Sequence, residues 1–157
     1  MTLVAGATLL ETFHRLIPAA DIVAHVDGKS GPPAFEAWIG DAASAVFYAG
    51  AVGTDAPVGY AVLTAPDFPI VPEPGDIELR RIYTLAAMHG SGLGQALMTA
   101  ALEHVGARGG RRVLLGVHPD NRRARCFYEK HGFAVVGERK FKVGTQLFSD
   151  PIYARAV

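Results

Sequence analysis

Six residues, His89-Gly90-Ser91-Gly92-Leu93-Gly94, stand between a strand-like stretch and a helix-like stretch. Alternate glycines let a backbone come close to a ligand. A helix start adds free N–H groups and the positive end of the helix dipole. That chemistry suits a phosphate or another oxyanion, with the Ser91 hydroxyl as a further donor. The same run also serves as a plain helix-start turn, and both readings stand at this point. It is not a dinucleotide fingerprint, because Gln95 occupies the third glycine position, and it lacks the Gly-Lys-Ser/Thr of a nucleotide P-loop. Upstream lies Glu78-Leu79-Arg80-Arg81-Ile82-Tyr83-Thr84. The Glu78 carboxylate can serve as a general base or anchor a cation; it can equally pair with Arg80 two residues on. Arg80 and Arg81 face either a pocket or solvent. Downstream, Asn121-x-x-Ala124-x-x-Phe127-Tyr128-x-x-x-Gly132-Phe133 places an N-cap type residue and a phenol on one helix pattern. A phenol can protonate a leaving group, although an aromatic on such a helix usually packs in the core. Nothing near the lone cysteine, Cys126, in sequence forms a Cys–His pair of the kind nucleophilic catalysis needs, and the histidines show no metal-ligand spacing, so no metal is expected.

These groups need elements to position them. Helical spacing of Leu3, Ala7, Leu10, Phe13, His14 and Ile17 predicts a helix over 3–17, stopped by Pro18. A second short helix ends near Gly28, residues 28–33 read as a loop, and Phe35 to Ile39 as a helical turn. Strands are predicted at Ser44–Gly50 and Pro57–Leu63, joined as a hairpin through Gly53-Thr54-Asp55-Ala56. Pro66, Pro69, Pro72 and Pro74 make 65–76 a surface loop. Ile77–Leu85 is the next strand, followed by a helix over Gly92–Ala107 ended by Gly109-Gly110. Val113–Val117 is a compact apolar strand of the kind buried on both faces. A helix over Asn121–His131 ends at Gly132, and Phe133–Lys142 and Ile152–Arg155 close the chain as antiparallel strands. The order predicts an α/β (α+β) fold: a mixed, mostly antiparallel sheet with helices on both faces, in one domain over residues 1–157.

The glycine loop and the Asn-to-Phe motif, in this order and about thirty residues apart, resemble the GCN5-related N-acetyltransferases, the GNAT superfamily. The resemblance covers residues 5–155. It implies an acetyl-CoA-dependent enzyme that acetylates a primary amine of a small molecule by direct transfer in a ternary complex. Within it, the backbone of Ile82, Tyr83 and Thr84 holds the pantetheine arm like an added strand. The loop His89, Gly90, Ser91, Gly92, Leu93 and Gly94 cradles the pyrophosphate, and Asn121 lies near the cofactor arm. Tyr128 protonates the leaving thiolate, and Glu78 acts as base, directly or through water. Two departures stand out. The family places Arg or Gln where this chain has His89, which predicts weakened cofactor affinity. Family members also usually begin with a strand, so here the first strand is expected to be missing or to lie upstream of Met1. Glu11-Thr12-Phe13-His14 and Gly137-x-x-x-Phe141-x-x-Gly144 with Asp150 are similar to bacterial polyamine (spermidine/spermine-type) acetyltransferases. That branch implies an acidic acceptor pocket, with Glu11, Glu78 and Asp150 as its candidates. The rivals are acetylation of a protein N-terminus or lysine, and a non-catalytic acyl-CoA-binding module.

The bulk properties limit partners. The 157 residues are 50% hydrophobic, enough for one core, and 15 basic residues balance 15 acidic ones. No net field draws the chain to nucleic acid or to a membrane, and neither partner is expected. No signal peptide and no spanning segment is read at the sequence level, so a cytoplasmic location is expected. An unpaired sheet edge predicts a homodimer.

Overall fold

The computed structural model describes residues 1–143 and 146–157, with the backbone alone at 141–143 and 146. Six strands form one sheet in the order β1-β2-β3-β4-β6-β5. β1 (Ala45–Gly50) and β2 (Pro57–Thr64) form the expected hairpin, closed where the Ala51 N–H donates to the Ala56 carbonyl at 2.8 Å. β2 pairs antiparallel with β3 (Asp76–Thr84), and β3 runs parallel to β4 (Arg112–Gly116). β5 (Ala134–Val143) and β6 (Gln146–Ala156) are antiparallel, with β6 inserted between β4 and β5. β6 begins six residues before the predicted strand start at Ile152. Asp150 and Pro151, outside the predicted strand, lie inside it. Pro151 is tolerated because β4 pairs only with residues 152–156, so the proline lies where β6 has no ladder neighbour on that side.

The decisive feature is where β3 and β4 part. They pair at Asp76↔Arg112, Ile77↔Val113 and Glu78↔Leu114, and then diverge. At the same point β3 bulges: Val62 faces Arg81 and Leu63 faces Leu79, leaving Arg80 as the extra residue. The base of this wedge is locked by Arg112, which donates to the Asp76 carboxylate through Nε at 2.8 Å and Nη2 at 2.7 Å.

Helices cover both faces. α4 (Leu93–Ala107) and α5 (Arg122–Lys130) bury Leu97, Met98, Ala101, Val105 and Tyr128 against Ala61, Leu63, Leu79, Val113 and Leu115. On the opposite face Tyr60 and Val62 pack on Val4 and Ala5 of α1 (Thr2–Phe13) and on Phe35 of α3 (Pro32–Gly40). Strand alternation thus divides β2 between two cores. α1 stops at Phe13, one turn short of the predicted Ile17. Pro18 forces the preceding residue out of helical geometry, and Ile17 and Ile22 fold back onto Phe13. α2 (Ala19–Lys29) and α3 then leave only Ser30 and Gly31 of the predicted 28–33 loop, and the helical turn at 35–39 is a nine-residue helix with Pro at its first turn. Three helices precede β1, and no strand precedes α1 among the described residues. Gly144 of the polyamine-type motif lies outside the described residues, as does the side chain of Phe141.

Candidate active site

The wedge between β3 and β4 opens into a cavity of about 540 Å³. Its walls include Ile82, Tyr83 and Thr84 of β3, His89, Gly90, Gly92 and Gly94 of the glycine loop, and Asn121 and Tyr128 at α5. Two motifs about thirty residues apart in sequence are brought to one opening. A recess of about 230 Å³ shares Thr84, His89, Asn121 and Arg123 with it and is closed by Glu11 and Ala86.

One wall is backbone. The Leu85 N–H donates to the Val58 carbonyl at 2.9 Å, and Thr84 lies opposite Gly59. By alternation the backbone of Tyr83 also turns to β2, while that of Ile82 and Thr84 turns to the open side. Tyr83 contributes its ring to the cavity instead, stacked on Tyr60 at 5.8 Å. Gly59 allows this close packing, since a Cβ there would sit 3.1 Å from both the Tyr83 carbonyl oxygen and Thr84 Cγ2.

The second wall is the start of α4. Gly90 (φ +82) and Gly92 (φ +87, the N-cap) are left-handed, with nothing within 4 Å of where a Cβ would stand. The first intrahelical donor is the Ala96 N–H, which reaches the Gly92 carbonyl at 3.0 Å, so the N–H groups of Gly94 and Gln95 have no acceptor in the helix. Open space, free N–H groups and the helix dipole fit a diphosphate. Ser91 does not add a free donor: its hydroxyl donates to the Met88 carbonyl at 2.7 Å and accepts from the Leu93 N–H at 3.3 Å. The Leu93 side chain packs into the core. His89 is held below the ordinary histidine range, chiefly by burial and then by Arg123, against opposing effects of the Thr84 backbone and Glu11. It is therefore neutral at pH 7, and Arg123 Nη1 donates to its Nε2. Arg123 thereby brings a guanidinium to the His89 end of the glycine loop. In sequence Arg123 stands with Arg122, Arg125 and Lys130 as a basic run on one helix, which marks phosphate contact or a solvated face without singling it out.

α5 supplies the polar end. Asn121 caps it, Oδ1 accepting from the Ala124 N–H at 3.1 Å, and the residue lines the cavity with its amide N–H groups unengaged among the described residues. Tyr128 is packed against Phe127, Phe133 and Tyr153. Burial, then Tyr83, pushes its phenol well above the ordinary tyrosine value. It stays protonated at neutral pH and makes no hydrogen bond among the described residues.

Glu78 lies elsewhere. Its carboxylate is buried (3% exposed) but is not part of the cavity wall. Oε2 accepts from the Asp67 N–H at 3.0 Å and from Arg80 Nη2 at 3.3 Å, so the ion pair with Arg80 forms. Burial raises its pKa, and Arg80 opposes the rise. The three carboxylates of a polyamine pocket do not converge: Asp150 lines the main cavity, and Glu11 lines the recess, its Oε2 accepting from the Ala86 N–H at 2.9 Å. Cys126 is exposed on α5 and lines neither space. No cluster of three metal-type side chains occurs among the described residues, and no described helix is long and apolar enough to cross a membrane.

This arrangement has known counterparts. The acetyltransferase (GNAT) family profile matches residues 10–133. An N-acetyltransferase of Mycobacterium tuberculosis, itself described as uncharacterised, is 33% identical over 154 residues, covering 96% of this chain and 94% of that protein. Among solved structures, the PaiA N-acetyltransferase of Thermoplasma acidophilum in complex with coenzyme A superimposes with a TM-score of 0.75 at 21% identity, covering 99% of this chain and 91% of its own. The spermidine N-acetyltransferase of Vibrio cholerae gives 0.63 at 18% identity over 79% of this chain and 70% of its own. At those identities the structures share the fold, while the profile and the mycobacterial relative reach further. The chain belongs to the acetyltransferase (GNAT) family and is an acetyl-CoA-dependent N-acetyltransferase.

Proposed function

We propose that the protein, one domain over residues 1–157, acetylates a primary amine of a small molecule by direct transfer within a ternary complex. The observation that carries this reading is the junction of a backbone-lined wedge, a glycine-rich helix start and a buried protonated phenol in one cavity. Ile82 and Thr84 offer N–H and C=O groups to a pantetheine arm, and Tyr83 flanks it with its ring. Gly90, Gly92 and Gly94 admit the diphosphate to the start of α4, with Ser91 and Leu93 shaping the turn and His89 orienting Arg123. Asn121 offers its amide nitrogen. The thioester oxygen meets a strand N–H as charge develops on it, and Tyr128 gives its proton to the leaving thiolate.

In this reading Glu78 does not touch the amine. It holds Arg80 and the turn at Asp67, and so shapes the acceptor side of the wedge. A protein N-terminus or lysine as acceptor, or acyl-CoA binding without turnover, remain the competing readings, and Tyr128 speaks against the second. A cytoplasmic location and a homodimer belong to the same proposal.

The test is a titration with acetyl-CoA followed by a thiol-release assay over a panel of small amines and peptides. Binding with release on small amines is the expected result. Release on peptides alone selects the protein-directed rival, and binding without release on any acceptor selects the non-catalytic one.

A further inference from the structure

The acceptor end of the cavity has a charge pattern of its own. Arg139 lies directly opposite Asp150, and Gly116 opposite Ile152, two residues along β6. Glu78 pairs with Leu114, two residues before Gly116, and the bulge returns Arg81 to the Glu78 side. Alternation therefore gathers Glu78, Arg81, Gly116, Arg139 and Asp150 on the face beneath α1 and α2, with the Glu78 carboxylate already engaged by Arg80.

The cations here are not equivalent. Arg80 is paired with Glu78 and Asp67, and Arg139 with Asp150 (Nε to Oδ2, 3.8 Å). Arg81 has no carboxylate within salt-bridge distance among the described residues. Its guanidinium meets the Arg80 carbonyl at 3.3 Å and His25 Nε2 at 3.4 Å. Burial, Arg81 and Lys29 push His25 down to about 4, so it is neutral and leaves the charge of Arg81 uncompensated. At the end of β4, buried Asp150 Oδ1 (residue 3% exposed) and His118 Nε2 (8% exposed) have no hydrogen-bond partner among the described residues. His118 Nδ1 accepts from the Asp120 N–H at 3.2 Å, so Nε2 is the ring nitrogen that carries a proton. Arg81, His118 and Asp150 all line the one cavity. An orphaned acceptor, an orphaned donor and an unpaired cation are costly in a protein without a ligand to meet them. A polyamine would set its surplus positive charges against Arg81 and Arg139.

We infer that the acceptor is an amine that also carries a carboxylate, which Arg81 binds, while Asp150 receives the amino group. The inference rests on the acetyl-transfer reading. The ammonium gives a proton to Asp150 Oδ1, and its lone pair forms the N–C bond to the acetyl carbon. The C–S bond breaks, and the thiolate takes the proton of Tyr128. The phenolate regains one from the new amide nitrogen, and Asp150 returns its own to water.

The experiment measures kcat/KM by thiol release with free amino acids, with the amines left by their decarboxylation, and with spermidine. The carboxylated acceptor of each pair should be favoured about tenfold or more, the usual worth of a hydrogen-bonded charge pair. Arg81→Gln should remove the preference by raising KM for the carboxylated partner alone, and Arg81→Lys should restore part of it. Equal or better use of the decarboxylated amines or of spermidine by the unaltered protein overturns the inference and leaves acetyl transfer standing. Acetyl-CoA binding without release on any acceptor overturns both. The comparison on the unaltered protein decides even if the Arg81 variants do not fold.

Discussion

A phenol buried among Phe127, Phe133 and Tyr153, with no hydrogen-bond partner among the described residues, is a proton donor held ready. Tyr128→Phe removes the proton and keeps the ring. Turnover should fall about a hundredfold, the lower end for loss of a general acid, while calorimetry gives an unchanged acetyl-CoA affinity. An unchanged kcat would take Tyr128 out of the chemistry. Arg123 is the matching residue at the phosphate end. Arg123→Ala should weaken acetyl-CoA binding about tenfold, since a charge-assisted contact is lost. The pKa of His89 is lowered, so protonation adds charge to the loop only below the ordinary histidine range. Affinity should therefore stay level from about pH 6.5 to 8 and tighten only in more acid solution. A steady rise in affinity as pH falls through about 7 would show that His89 itself is the phosphate cation. The sequence announces Tyr128 through its motif. It announces Arg123 only as one member of a basic run, because the contact that singles it out joins residues 34 apart in sequence.

The elements do their work by ending or parting in the right places. α4 begins at Gly92 with φ +87, where a Cβ meets nothing. Gly92→Ala should cost about 1 kcal/mol of stability from backbone strain alone, read by chemical denaturation, and should weaken acetyl-CoA binding by turning the free N–H groups away. The wedge opens because β3 and β4 are clamped at one end by Asp76 and Arg112. Asp76→Asn should cost about 1–2 kcal/mol, the upper values being discounted because Arg112 is partly exposed. The Asp76 carboxyl is held below its ordinary value, first by the Arg112 hydrogen bonds. Its stabilisation is therefore present above the ordinary carboxylate range and fades as pH falls through the lowered value. The gap between the two proteins in denaturation midpoint should close in strong acid; a gap that persists there would assign the cost to packing. The hairpin, α4 and α5 were legible from turn residues and apolar spacing. The bulge at Arg80 was not, because it is a mismatch between two strands and leaves no mark on either alone. For the same reason the sequence left open which way Arg81 points. The Arg139–Asp150 pair joins two strands across a turn and equally has no local signature.

Across the whole sheet the two edges are unlike. β5 carries Glu138, Arg139, Lys140 and Lys142 and a register shift between Val135 and Gly137, both devices that blunt an edge. β1 reads AVFYAG, with no charge and no proline, and Tyr48 is 45% exposed on it. Its register is regular from Ala45 to Ala49. A regular, uncharged edge of this kind is a template for another strand, and a second copy of the chain offers the same strand in the antiparallel sense that two-fold symmetry requires. The cavity opens between β3 and β4, two strands inside that edge, so pairing there leaves the active site accessible. The expected outcome is a mass in sedimentation equilibrium that rises toward twice the chain mass as concentration increases. Tyr48→Lys, which sets like charges against each other across the two-fold, should shift the equilibrium to monomer with kcat retained. A single-chain mass at every concentration would show instead that β1 is protected by its shortness and by the register shift between Ala49 and Gly50, and that the monomer is the catalytic unit.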